Sequence, residues 1–168
     1  MTDLQLSPHF KLSEFTRSRT AEAAGIDNRI PEVLIPNLVT LCEAVLEPLR
    51  QHAGKPITIS SGYRCPRLNA LVGGVANSQH LSGEAADLHL PSLAEGREWF
   101  HWIATHCSYD QLLWERRGST RWIHVSCRSD PRRNRGEALT VNAKLGKFSR
   151  PQCAYKRAIS SSERPVSP

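Results

Sequence analysis

The chain has 168 residues, of which 39% are hydrophobic and 23% charged, with a formal net charge of +6 and a pI near 9.4. That size suits one domain with a real core, and the composition is that of an ordinary soluble globular protein. No apolar run approaches the ~20 residues that cross a bilayer, and the positive balance favours anionic partners without choosing among cell-wall polymers, lipopolysaccharide and nucleic acid.

The opening Met1-Thr2-Asp3-Leu4 lacks the basic and apolar regions of a secretory signal, so synthesis in the cytoplasm is expected. Five cysteines (Cys42, Cys65, Cys107, Cys127 and Cys153) give an odd count with no Cys-x-x-Cys pair. That pattern reads as reduced thiols, with Cys42 and Cys127 at positions that suit packing.

In chain order, residues 1–7 read as a loose end. From His9 to Phe15 alternation gives way to a helix cap at Ser13, with Phe10, Leu12 and Phe15 as anchors. Pro31 to Ala53 is the clearest helix, because Ile35, Leu38, Leu41, Cys42, Val45, Leu46 and Leu49 recur at three- and four-residue steps. Pro36 fits its first turn, Pro48 should kink it or end its regular bonding, and Gly54 closes it. Pro56 to Ser61 predicts a strand, Gly62 to Pro66 a loop, and Arg67 to Val72 a short helix ending at Gly73-Gly74.

Next comes Ser78-Gln79-His80-Leu81-Ser82-Gly83-Glu84-Ala85-Ala86-Asp87. Ser82-Gly83 is a turn signal. Beyond it Ala86, Leu88 and Leu90 suit a buried face, while Ala85, Asp87 and His89 share the other. His80 therefore ends one segment and Asp87 returns beside it on a strand. Imidazole nitrogen and carboxylate oxygen are zinc donors, and a catalytic zinc site takes three protein ligands and keeps one position open.

Pro91 to Cys107 predicts a helix on the back of the sheet, with Leu93, Trp99, Trp102 and Ile103 inward and His101 and His106 at the surface. Tyr109–Glu115 and Trp122–Cys127 predict an antiparallel hairpin around a turn at 116–121. Ile123, Val125 and Cys127 alternate inward, so His124 projects from the opposite face and becomes the third ligand. Arg128 to Gly136 reads as a basic surface loop, and Ala138 to Phe148 as a last strand or arm. Residues 1–149 would form one domain, and 150–168, rich in Ser, Pro and Arg, a disordered tail.

Ser-x-His-x-x-Gly-x-Ala-x-Asp at residues 78–87, followed by Trp-x-His at 122–124, resembles the zinc D-alanyl-D-alanine carboxypeptidase family. That family also holds phage L-alanyl-D-glutamate endopeptidases, and its wider relatives share a metal site with hedgehog signalling domains. The Phe10–Phe15 opening, the Ser-Gly-Tyr-Arg segment and the Asp-Gln-Leu-Leu-Trp-Glu segment are similar to its short phage and prophage branch. The resemblance runs from about residue 8 to residue 147. It implies an α+β fold with a small central antiparallel sheet carrying the zinc site and helices packed on its back face. It also implies Zn2+ held by His80, Asp87 and His124, a peptidoglycan stem peptide as substrate, and action on the bacterial wall after release or from a virion; a monomer is expected. Arg64 would lie near the metal as a substrate-binding or transition-state group; on its own terms it is equally a loop-capping surface arginine. Ser78 and Gln79 are further candidates for positioning a substrate carboxylate or carbonyl.

One position departs from that pattern. Many members of the family carry a Glu or Asp three residues before the last histidine as general base, and here Arg121 stands there. Glu115 is the expected replacement. Pairing 115 with 122 and 113 with 124 puts it on the face of His124, and a slip of one residue would turn it away. Asp110, Glu84 and His89 stay open as alternatives. A catalytically inactive zinc-containing module that binds peptidoglycan or a protein is the rival function, and Arg121 is its support. Nucleic acid is not an expected partner, because the arginine cluster lacks the interleaved aromatics of a single-strand binder.

Overall fold

The computed structural model describes residues 3–140 and 143–147. The expected tail at 150–168 and Cys153 lie outside the described residues.

The chain opens with a two-stranded hairpin, β1 (Gln5–Ser7) and β2 (Phe10–Lys11). The expectation of a loose end across 1–7 is therefore corrected for residues 5–7. The reason is a long-range bond: Ser7 Oγ and His9 N both donate to Glu47 Oε1, at 2.7 and 2.9 Å. Helix α1 (Leu12–Thr16) begins one residue before the expected cap at Ser13, with Glu14 accepting from Lys11 N at 2.8 Å. Phe10 and Phe15 are wholly buried. Helix α2 (Arg19–Ala23) follows, capped by Ser18 Oγ accepting from Ala21 N.

The long helix runs as a 3-10 turn (Glu32–Leu34), α3 (Ile35–Leu41), a wide π turn (Cys42–Leu46) and α4 (Glu47–Ala53). Pro48 does not break it. Having no N–H to give, Pro48 is accommodated by the wider turn just before it, where Glu47 N reaches back to Cys42 O. Gly54 ends the helix in the left-handed region, φ +63°.

Among the described residues the main sheet has six strands in the order β3-β4-β6-β5-β7-β8. These are β3 (Ile59–Ser61), β4 (Ala85–His89), β5 (Gln111–Arg117), β6 (Thr120–Ser126), β7 (Glu137–Thr140) and β8 (Ala143–Lys147), with α5 (Pro66–Leu71) between β3 and β4 and α6 (Leu93–His106) between β4 and β5. The fold is α+β, but the sheet is larger than expected and not wholly antiparallel, because β7 runs parallel to β5. Bonds from Gly136 N to Tyr109 O and from Glu137 N to Asp110 O lead the chain in alongside β5 rather than folding it back as a hairpin. The strand expected from Pro56 is shorter, starting at Ile59.

The β5–β6 register pairs Leu113 with His124 and Glu115 with Trp122, as the alternation predicts. The turn is tighter than the expected 116–121 connection: pairing continues to Arg117 and Thr120, so only Gly118 and Ser119 turn the chain. Gly118 takes φ +59° there.

Two faces follow from the period of two. Ala86, Leu88, Leu112, Ile123 and Val125 face a core shared with Leu38, Leu41, Leu46 and Leu49 of the long helix and Trp99 and Ile103 of α6. Leu93, expected in that core, is half exposed because it sits at the first position of α6. The opposite face of β4, β5 and β6 presents Asp87, Leu113, Glu115, Trp122 and His124 to a cleft of about 1010 Å³.

Candidate metal centre

Three side chains meet at the middle of this cleft. His80 comes from a single 3-10 turn (Gln79–Ser82) whose Ser78 cap accepts from His80 N, and Gly83 at φ +70° turns the chain into β4. Asp87 stands on β4 directly opposite His124 on β6. Adjacent strands, with the His80 turn folded against them, bring the donors together: His80 Nε2 to His124 Nδ1 is 3.2 Å, His124 Nδ1 to Asp87 Oδ1 is 3.0 Å, and His80 Nε2 to Asp87 Oδ1 is 3.2 Å. All three residues are less than 9% exposed.

This triangle tests whether a metal fits. His80 Nδ1 lies 2.6 Å from Gly62 O. A carbonyl only accepts, so Nδ1 carries the proton and the neutral ring leaves Nε2 as a bare lone pair. That lone pair faces a carboxylate oxygen and a second imidazole nitrogen. With these atoms deprotonated, a positive charge among them is needed, and a metal cation supplies it. A tetrahedral zinc with bonds of 2.0–2.2 Å needs ligand atoms about 3.3–3.6 Å apart, close to the edges observed. The donor set therefore suits zinc.

Asp87 is ionised in this setting. Burial opposes its charge, but the two imidazoles beside it, His80 and His124, outweigh that and hold its carboxyl well below the usual range. Its other oxygen, Oδ2, accepts from Arg64 at 2.6 Å, and Arg64 Nε donates to Ser61 Oγ at 2.9 Å. Arg64 thus braces one of the three converging groups, a contact that no spacing in the sequence shows.

The loop carrying Arg64 is itself clamped. Asn28 Nδ2 donates to Thr16 O and Tyr63 O, and Asn28 Oδ1 accepts from Cys65 N, all within 3.0 Å. Arg64 N donates to His80 O, tying the loop to the His80 turn. Gly62 allows the loop's closest approach, since a Cβ there would sit 2.6 Å from the Phe15 backbone. Sequence reasoning missed Asn28, whose only local signal is its place after Asp27 in a turn-like stretch.

Glu115 lines the cleft on the His124 face, and its Oε2 accepts from Trp122 Nε1 at 2.7 Å. The other candidate bases are placed differently. Asp110 is fully buried and saturated by Arg128 and Arg135, so it is a structural anchor and the alternative is corrected. Glu84 lines the cleft but accepts from Ser82 Oγ and Ser129 N, and His89 is exposed at the end of β4. Arg121 turns away, donating to Ser119 O. Ser78 is engaged in its own turn. The buried carboxamide N and O of Gln79 have no partner among the described residues although the residue lines the cleft, an arrangement that costs about 1–3 kcal/mol until a ligand satisfies it.

The basic loop is not a loose surface feature either: Asn134 is buried and accepts from Arg128 N, and Arg135 N donates to Asp110.

Comparison with known proteins agrees with this geometry. A segment of 52 residues, 30% of this chain, is 46% identical to the zinc D-Ala-D-Ala carboxypeptidase of Streptomyces albus G, and covers 20% of that protein's length. The family model described as Peptidase M15 matches residues 8–126, a span that includes His80, Asp87 and His124, and the chain belongs to that peptidase family.

Proposed function

We propose that the protein is a zinc-dependent peptidase that hydrolyses peptidoglycan stem peptides, as a D-Ala-D-Ala carboxypeptidase or an endopeptidase of the L-Ala-D-Glu type. The observation that carries this reading is the buried triangle of His80 Nε2, Asp87 Oδ1 and His124 Nδ1, open to a large cleft. Membership of the peptidase M15 family and the D-Ala-D-Ala carboxypeptidase activity for which the Streptomyces relative is named support the substrate class. Action at the bacterial wall, and a part in lysis by a phage or prophage, belong to the same reading.

His80, Asp87 and His124 would hold the ion, which supplies a water of lowered pKa and a Lewis acid for the scissile carbonyl. The chain's own residues do the rest. Glu115, on the His124 face and steadied by Trp122, accepts the water's proton and returns it to the leaving amine. Arg64 keeps Asp87 in place through Oδ2 and lies at the cleft wall, where its remaining nitrogen can meet a substrate oxygen. The Gln79 carboxamide, without a partner among the described residues, carries an NH2 donor group and a carbonyl acceptor, the complement of a peptide group.

Metal analysis of the purified protein, combined with mass spectrometry of digested sacculi, tests the reading. Stoichiometric zinc with new peptide termini is the expected result. Zinc without cleavage would leave the inactive wall-binding module, and no zinc would remove both.

A further inference from the structure

The mechanism above leaves one end of the cleft unused. His124 pairs with Leu113, and Gln111 lies two residues further along β5, so about 7 Å of strand separates the metal's level from that end. Arg128 and Arg135 line the cleft there. Asp110, with no exposed side-chain surface, lies beneath both.

The two arginines are not equivalent. Arg135 makes the two-pronged pair: its Nε and a terminal nitrogen both reach Asp110, and a second terminal nitrogen lies 3.6 Å from Glu137. That pairing offsets the charge of Asp110. Arg128 gives Asp110 only its Nε, at 2.8 Å. Its two terminal nitrogens carry no bond among the described residues, and about a third of the side chain is exposed. Glu84, the nearby carboxylate on the cleft wall, is bonded by Ser129 N and Ser82 Oγ and makes no ion pair with Arg128 among the described residues. Arg128 is thus a guanidinium aimed by a buried acid through its Nε, with a planar pair of terminal N–H groups left for a ligand. That is the donor geometry which recognises a carboxylate.

We propose that Arg128, oriented by Asp110, is the anchor of a carboxylate-binding subsite at the Gln111 end of the cleft. The proposal rests on the peptidase reading for its ligand: a stem-peptide carboxylate held one or two residues from the bond cut. Two stem-peptide groups share this chemistry, the terminal D-Ala carboxylate and the α-carboxylate of γ-linked D-Glu.

The test uses zinc-loaded full-length protein and two pairs of small probes. One pair is N-acetyl-D-alanine and its amide. The other is the γ-methylamide of N-acetyl-D-glutamic acid with its α-carboxyl group free or amidated. Binding is followed by NMR at the arginine Nε–H signals and at the rings of His80 and His124. In one pair the acid is expected to bind at least about tenfold more tightly than the amide, the low end for a charged hydrogen bond, and to shift the Arg128 signal. The pair that shows the gap identifies the source. Arg128→Gln should reduce the gap to less than about twofold, and Arg128→Lys should keep part of it. Should Arg128→Gln not fold, the Arg128→Lys protein and the wild-type shifts still decide.

Acid and amide binding alike, neither probe binding, or a gap that survives Arg128→Gln with shifts only at the histidines would each overturn the subsite. Sacculi left uncut by a protein that still discriminates acid from amide would sink the hydrolytic reading and leave the subsite standing.

Discussion

The Gly62 carbonyl oxygen lies 2.6 Å from Nδ1 of His80, and this bond decides which nitrogen of the ring faces Asp87 and His124. It is available because Gly62 packs directly on the backbone of α1. A Cβ at that position would meet Phe15 Cα and O at 2.6 Å, both backbone atoms that cannot swing aside. Gly62→Ala should therefore displace the loop, loosen the His80 ring and weaken zinc binding by roughly ten- to a hundredfold, the usual effect of losing a partner behind a metal-binding histidine. Competition against a chromophoric chelator measures it, with circular dichroism as a check on folding. Unchanged affinity in a folded Gly62→Ala protein would mean that another group orients His80.

Arg64 presents a choice between bracing the centre and binding substrate, and the two roles separate experimentally. Its 2.6 Å bond to Asp87 Oδ2 and its bond to Ser61 Oγ fix the carboxylate from behind. Arg64→Ala should lower zinc affinity by about ten- to a hundredfold. Arg64→Lys should recover only part of it, since an ammonium is a point charge without the guanidinium fork. A rise in KM at full zinc occupancy would instead assign Arg64 to the substrate alone.

For Glu115 the expected signature is retention of the metal with loss of turnover. Glu115→Gln should bind stoichiometric zinc yet hydrolyse muropeptides about a hundred- to ten-thousandfold more slowly, the range for removing a general base. Trp122→Phe deletes the N–H donated to Glu115 Oε2 and should give a smaller fall, carried by kcat. Full activity of the Glu115→Gln protein would move the base elsewhere in the cleft, with Glu84 next in line.

The centre was legible in the sequence wherever local periodicity governs it. Alternation along Ala85–Leu90 and Trp122–Cys127 fixes which side chains share a face, and one hydrophobic set per strand leaves a single register that buries it. That is why Asp87 and His124 could be assigned to the faces away from the core, whereas Glu115 depended on a hairpin register that a slip of one residue would overturn. The features that escaped all depend on partners far away in the chain. Ser7 is ordered by Glu47 and the Arg64 loop by Asn28, and neither bond has a spacing rule. The parallel course of β7 depends on how the 127–136 loop is pinned, and nothing in Glu137–Thr140 states a direction. Arg128 and Asp110 looked respectively like a solvated charge and a candidate base, because only the fold shows that they are 2.8 Å apart.

Asp110 gives the protein an acid-sensitive joint away from the metal. Burial pushes its carboxyl up, but hydrogen bonds from Arg135 and Arg128 more than reverse this, so its pKa in the folded protein lies below the ordinary 3.8. A depressed folded-state pKa means that the carboxylate's contribution to stability is complete above the unfolded value and is lost as pH falls through the folded one. Asp110→Asn should consequently cost on the order of 3 kcal/mol near neutrality, because it removes the charge that both guanidiniums share. The figure is held to the low end of the buried-pair range since both arginines keep partial access to water. The stability gap between wild type and Asp110→Asn should stay level from about pH 5 to 8 and close below about pH 4, as the wild-type carboxyl takes up its proton. Urea unfolding across that range reads the gap directly. A gap that persists undiminished in acid would show that Asp110 acts through shape and hydrogen-bond acceptance rather than through its charge.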